Sequence, residues 1–219
     1  MISNVVFDFD GTIANSLRVM VSLYNQIAEK YGYTPMLDSD LAHLRKLSIM
    51  DRCRKLGVPV LRLPSLVLEA KRRYREVGGT VEAYEGMIPV LQELRRQGVS
   101  VGIISSNSQE TIEKFLERNS ARSLVHSISC SSNLFGKDKM ISRYLKTFSL
   151  SPEQVLYVGD EHRDVEACKK TKLRIVAVTW GADSVELLGQ AGPDFLAHQP
   201  ADIVERVKQL NGGEGQHPS

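Results

Sequence analysis

Asp8 and Asp10 follow the apolar run Val5-Val6-Phe7 and stand directly before Gly11-Thr12. In a strand, residues i and i+2 share a face, so both carboxylates point into one site if extended geometry persists to Asp10. Two like charges that close repel unless a cation or a proton lies between them. The pair therefore predicts a metal site, an acid/base pair, or both. A strand end followed by an Asp-Gly turn is the structural alternative. Further along, Ile104-Ser105-Ser106-Asn107-Ser108 sets hydroxyls and an amide ahead of a helix start. Such groups hold a phosphate oxygen with help from backbone N–H groups and the helix dipole, or they cap the helix. Lys137, in Phe135-Gly136-Lys137-Asp138-Lys139, can neutralise a transferring phosphoryl group, with Lys139 as second candidate. Finally, Gly159-Asp160 and Asp164 place a strand-terminal carboxylate four residues before another. All-oxygen donors of this kind suit Mg²⁺ over zinc. Asp164 as a plain helix cap is the competing explanation, and His162 reads as an outward loop residue.

The elements that must position these groups alternate. From residue 86 onward, helical patterns at 87–97, 110–119, 138–148, 164–170 and 202–210 are interleaved with β-rich apolar runs at 99–104, 125–130, 155–158, 174–179 and 194–197. That order predicts βαβ units on a parallel, Rossmann-like sheet with right-handed crossovers, an α/β fold. All the chemistry-bearing segments then fall at carboxyl ends of strands, the edge where open α/β sheets bind ligands. Residues 15–83 read differently, with helical stretches at 17–31, 41–56 and 66–77 punctuated by Gly32, Gly57-Val58-Pro59, Pro64 and Gly78-Gly79. The expectation is a core of residues 1–14 plus 84–210, an all-helical cap at 15–83 inserted after the first strand, and a disordered tail at 211–219 without apolar residues to pack.

Bulk properties exclude several classes. With 42% hydrophobic and 25% charged residues the chain can bury a core, and no apolar stretch approaches the roughly 18–20 residues of a membrane span. Cys53, Cys130 and Cys168 are too few and too scattered for a disulfide framework or a zinc motif. The N-terminal residues carry no basic and apolar leader pattern, so the expected location is the cytoplasm. The net charge of +2 conceals +8 over residues 41–75 and −6 over the remainder. That basic segment fits an anionic partner, or equally a set of solvated helix faces.

Taken together, Asp-x-Asp-Gly-Thr on strand one, a strand-end Ser, a loop Lys and Gly-Asp-x-x-x-Asp resemble the haloacid dehalogenase superfamily of phosphohydrolases. The resemblance covers residues 4–14 and 85–208. Ser105-Ser-Asn-Ser, Leu134-Phe-Gly-Lys137, Tyr157-Val-Gly-Asp-Glu-His-Arg-Asp164 and Val178-Thr-Trp-Gly181 look most like its phosphoglycolate-phosphatase-type members. The resemblance implies Asp8 as nucleophile forming an aspartyl-phosphate and Asp10 as the acid and base that serves leaving group and water. It implies Mg²⁺ held by Asp8, the Asp10 carbonyl and Asp160, with Asp164 orienting a metal-bound water or Lys137. Ser105 and Lys137 would bind phosphoryl oxygens, with Ser106 and Asn107 beside them. Gly11 and Thr12 would shape the loop and add backbone N–H groups to the phosphate cradle. Arg45 is the favoured cap contact to a second anion on the substrate. The substrate implied is a small phosphorylated metabolite, with phosphoglycolate one candidate. A phosphomutase or a phosphonate hydrolase on the same core is the near alternative, the latter needing a Schiff-base lysine from Lys30, Lys46, Lys55 or Lys71. A non-catalytic nucleic-acid-binding module is the less favoured one.

Overall fold

The computed structural model describes residues 1–77, 80–131 and 136–212. The expected tail beyond Gly212, the Gly78-Gly79 break, and Leu134 and Phe135 of the lysine loop lie outside the described residues. Six strands, β1 (Asn4–Phe7), β2 (Ser100–Ser105), β3 (Ser127–Cys130), β4 (Val155–Gly159), β5 (Arg174–Val178) and β6 (Phe195–Ala197), form one parallel sheet in the order β3-β2-β1-β4-β5-β6. Central strands read as unbroken apolar runs because helices cover both faces: Val5, Phe7, Ile103 and Val158 are buried with Leu91 and Phe115 on one side, and Val6, Ile104 and Tyr157 with Tyr144, Val165 and Cys168 on the other. Phe7 lies opposite both Ile103 and Val158. The carboxyl ends of β1, β2 and β4 therefore fall within two residues of one another, and the residues that follow them emerge at one edge.

Between β1 and β2 the chain forms α1 (Leu17–Tyr31), α2 (Asp38–Leu44), α3 (Ile49–Lys55) and α4 (Leu63–Val77). These helices have a hydrophobic cluster of their own, built around Ile27, Leu44, Cys53, Leu56, Val58, Leu63 and Leu66. The segment leaves and re-enters through a narrow neck, where Asn15 N–H donates to Glu82 O at 2.8 Å and Tyr84 N–H to Ile13 O at 2.9 Å. The sheet is then flanked by α5 (Met87–Arg96), α6 (Gln109–Arg118), α7 (Lys137–Thr147), α8 (His162–Thr171), α9 (Val185–Ala191) and α10 (Ala201–Gly212). Among the described residues no helix is long and apolar enough to cross a membrane.

Several local expectations need correction. The single helix expected over 41–56 is two, because the Ser48 side chain accepts from Asp51 N–H and starts a new helix. Pro64 does not precede α4 but sits in its first turn, where a missing N–H removes no helical bond. Helix α9 follows an unanticipated cap, Ser184, whose side chain accepts from Leu187 N–H. His162 belongs to the first turn of α8. Asn211 is no part of a loose tail: its side chain accepts from Ile2 N–H at 2.6 Å and donates to Ile2 O at 3.0 Å.

Candidate active site

Strand β1 stops at Phe7, one residue before the first carboxylate, although Asp8 N–H still donates to Val158 O at 2.8 Å. Asp10 reaches the same cavity as Asp8 through a tight loop and not through strand alternation. In that loop Phe9 turns its fully buried ring onto Phe115 and its carbonyl accepts from Thr12, Ile13 and Ala14 N–H. Gly11 is required twice over: its φ is +79°, and a Cβ there would stand 2.1 Å from Asp160 Oδ2.

Asp8, Asp160 and Asp164 are buried, and one carboxylate oxygen from each lies within 4.8 Å of the other two. Lys137, at the start of α7, donates to Asp8 Oδ2 at 2.5 Å and to Asp164 Oδ1. Lys139 is exposed, so of the two lysines Lys137 is the one in the site. Asp160 accepts from Thr12 Oγ1 at 2.8 Å and from Ala182 N–H at 2.7 Å. Asp164 also accepts from Glu161 N–H at 3.1 Å, so it serves the turn opening α8 as well as the lysine. A Cβ at Gly159 would approach Asp164 Oδ2 to 2.4 Å, which accounts for glycine at the end of β4.

Electrostatics follow from three buried carboxylates around one ammonium. Burial raises the pKa of Asp8 against the pull of Lys137. Burial, then the charges of Glu161, Asp8 and Asp164, hold Asp160 well above the carboxylate range. Burial pushes Asp164 up to about 6, with Lys137 opposing. For Lys137 burial alone would favour the neutral amine, but Asp164 and Asp8 outweigh it and keep the ammonium charged. Hard oxygen donors short of positive charge are the chemistry that a divalent cation such as Mg²⁺ satisfies, so the cluster fits one.

Asp10 is held from two sides. Tyr74 Oη on α4 donates to its Oδ1 at 2.8 Å, and Asn107 Nδ2 donates to its Oδ2 at 2.8 Å. Burial raises the Asp10 pKa while these two hydrogen bonds lower it. Tyr74 was not singled out by its sequence context, since nothing in the helical pattern of α4 marks which aromatic meets the core. Ser105, buried at the end of β2, accepts from Asn107 N–H at 2.9 Å and retains its own hydroxyl proton to donate. Ser106 and Asn107 line the cavity beside it.

One expected role changes, and another gains partners. The N–H groups of Gly11 and Thr12 donate to Ala14 O and Phe9 O, and the Thr12 hydroxyl goes to Asp160. These residues shape the loop and orient Asp160; they are not a phosphate cradle. Arg45 lines the cavity; its Nη2 donates to Thr179 O at 3.2 Å and Asp183 O at 3.3 Å and its Nε is buried without a partner among the described residues, while Arg52 pairs with Asp183. Both arginines dock α2 and α3 onto the loop after β5. The basic run is thus partly neutralised, with Arg54 on Asp51, Arg73 on Glu69 and Lys46 on Glu186.

A parallel α/β sheet carrying four aspartates and a buried lysine at its carboxyl edge fits the acidic class of hydrolase site, one able to take a divalent cation. The model of the haloacid dehalogenase-like hydrolases matches residues 5–178, and the chain belongs to that family. It is 35% identical to a phosphoglycolate phosphatase of Synechococcus elongatus over 94% of this chain and 97% of that one. It is 25% identical to a pyrophosphatase of Bacillus mycoides over 96% and 99% of the two chains. A predicted phosphatase from Clostridium acetobutylicum superposes with a TM-score of 0.80 at 18% identity, over 95% of this chain and all of the other. The protein is a phosphatase of the haloacid dehalogenase type.

Proposed function

We propose that the protein is a Mg²⁺-dependent phosphomonoesterase that works through an aspartyl-phosphate on Asp8. The observation that carries the reading is Lys137 placed between Asp8 and Asp164, with Asp10 held separately by Tyr74 and Asn107. Asp8, Asp160 and Asp164 would hold the cation, which neutralises charge between an anionic nucleophile and an anionic substrate. Asp8 attacks phosphorus; an O–P bond forms as the ester P–O bond breaks. Asp10 gives its proton to the departing alkoxide, then takes one from the water that attacks the acyl-phosphate, regenerating Asp8. Lys137 and the Ser105 hydroxyl stabilise phosphoryl oxygens, and Asp164 holds Lys137 in place.

Helices α1–α4 act as a cap over this edge, joined to the core of residues 1–14 and 84–210. Their cavity wall includes Arg45, Arg52 and Lys71, and Arg163 of α8 joins them near the acidic groups. A small phosphorylated metabolite is the expected substrate, and phosphoglycolate is the first to assay because the relative in Synechococcus elongatus is named for it. Cys53, Cys130 and Cys168 are all free thiols, which supports a cytoplasmic location.

Asp8→Asn tests the reading. It is expected to abolish p-nitrophenyl phosphate turnover and the acid-stable trapping of phosphate on the protein; near-normal activity overturns the mechanism. Absence of turnover by the parent protein in Mg²⁺, together with salt-sensitive nucleic-acid binding, would favour the binding-module alternative. A second reading, phosphonate cleavage, rests on Lys71. Of the four cap lysines, Lys71 is the one that lines the cavity, and burial lowers its pKa. Borohydride trapping of an aldehyde phosphonate on Lys71 would establish it.

A further inference from the structure

The cavity that begins at Asp8, Asp10, Lys137 and Asp160 does not end at the phosphate-sized space they enclose. It continues among α1–α4 to a volume of about 330 Å³, within the roughly 300–1,000 Å³ of small-molecule sites. Its charged lining groups are Arg45, Arg52, Lys71, Glu161 and Arg163, together with the acidic site and Lys137. Arg45 Nη2 and Arg52 are engaged with Thr179 O, Asp183 O and the Asp183 carboxylate, Arg163 pairs with Glu161, and Arg45 Nε is buried without a partner among the described residues. The rest of the cap's share of the wall is apolar. Tyr24, Ile27, Leu41, Ile49, Leu66 and Val67 face the space, and the Tyr24 hydroxyl donates away to Thr34 O at 2.8 Å. A second anion on the leaving group would gain nothing from these apolar side chains and would lose its hydration among them. An apolar body would gain from every atom removed from water.

We infer that this cavity receives the apolar alcohol portion of the substrate, so that the favoured esters are alkyl or aryl phosphates with a body larger than glycolate. The inference rests on the phosphomonoesterase reading and adds the identity of the leaving group. The apolar wall then discriminates by length.

The test is kcat/KM in saturating Mg²⁺ for n-alkyl phosphates from ethyl to hexyl, with 2-phosphoglycolate alongside. Each buried methylene is expected to raise kcat/KM about fourfold, and hexyl phosphate is expected to exceed phosphoglycolate. Ala70→Phe, at a half-buried position on the cavity wall, is expected to reduce the gain to less than about twofold per methylene. Its melting temperature is recorded alongside to show that it folds, and the parent series stands without it. A flat or falling series, or phosphoglycolate ahead of all alkyl esters, with esters still being hydrolysed, overturns the inference and leaves the phosphatase reading intact. Failure of the parent to hydrolyse any ester removes both.

Discussion

Replacing Lys137 by Met leaves the length and most of the volume of the side chain and removes its charge. In the folded protein that charge lies between Asp8 and Asp164, with side chains 10% exposed for Lys137 and 9% and 0% for its partners. Three buried carboxylates would then face one another without their ammonium. Breaking a buried pair by deleting one partner costs about 3–5 kcal/mol, because the remaining charge is uncompensated. For a chain of 219 residues, each kcal/mol moves the melting temperature by roughly 2–4 °C. Lys137→Met without divalent cation should therefore melt about 6–20 °C below the parent. Mg²⁺ should restore more stability to the variant than to the parent, since the variant's site has lost a competing positive charge; at a hundredfold excess over Kd the linkage term is about 2.7 kcal/mol. Differential scanning calorimetry with EDTA and with a Mg²⁺ series measures both effects. A variant in EDTA that melts within about 2 °C of the parent, with an unchanged Mg²⁺ response, would refute the claim that Lys137 neutralises the acidic cluster.

Other perturbations separate the supporting contacts. Tyr74→Phe removes the hydroxyl on Asp10; a hydrogen bond to a charged group is worth about 1.5–3 kcal/mol, so kcat/KM for p-nitrophenyl phosphate should fall roughly 10- to 100-fold, and a parent-like value would show that the hydroxyl does not hold Asp10. Thr12→Val deprives Asp160 of its side-chain donor and should weaken the half-saturating Mg²⁺ concentration by about 10- to 100-fold, read from activity titrated with Mg²⁺. In the cap, Arg73, Lys30 and Tyr31 lower the pKa of Glu69 to about 2. The folded-state pKa is depressed, so the stabilisation is present above the unfolded value of about 4.5 and is lost as pH falls toward 2. Glu69→Gln should accordingly melt below the parent at pH 7 and converge on it at pH 2; a difference independent of pH would contradict the assignment.

What the sequence disclosed about the site is what strand ends disclose. Apolar runs identify buried parallel strands, and the polar residues that close them fall on one edge by topology alone, which brings Asp8, Ser105 and Asp160 within one neighbourhood. The sequence leaves the loop lysine between Lys137 and Lys139, and the burial of Lys137 decides. Contacts across the cap were not legible in this way. Tyr74 lies 64 residues from Asp10, and helical periodicity tells which face of α4 is apolar but not which residue on it meets the core. The same limit applies to Arg45: its charge suggested an anion, whereas the structure offers it the carbonyls of the loop after β5. Thr12 was ambiguous because a loop hydroxyl can serve a ligand or a neighbour, and only the position of Asp160 decides. Some of the remainder was readable. Ser48-x-x-Asp51 marks a helix start, and it divides the apolar pattern of residues 41–56 that otherwise looks continuous.

The neck between Ile13 and Tyr84 has a consequence for how such a protein can diverge. Residues 15–82 leave the sheet and come back at adjacent backbone positions, closed by the Asn15–Glu82 and Tyr84–Ile13 hydrogen bonds. The order of the strands does not depend on what hangs from that doorway. A different helical segment could be grafted there, or a short turn substituted, without rerouting any strand. Phosphoryl chemistry and choice of alcohol can thus change hands separately, one inherited with the sheet and the other exchanged with the graft.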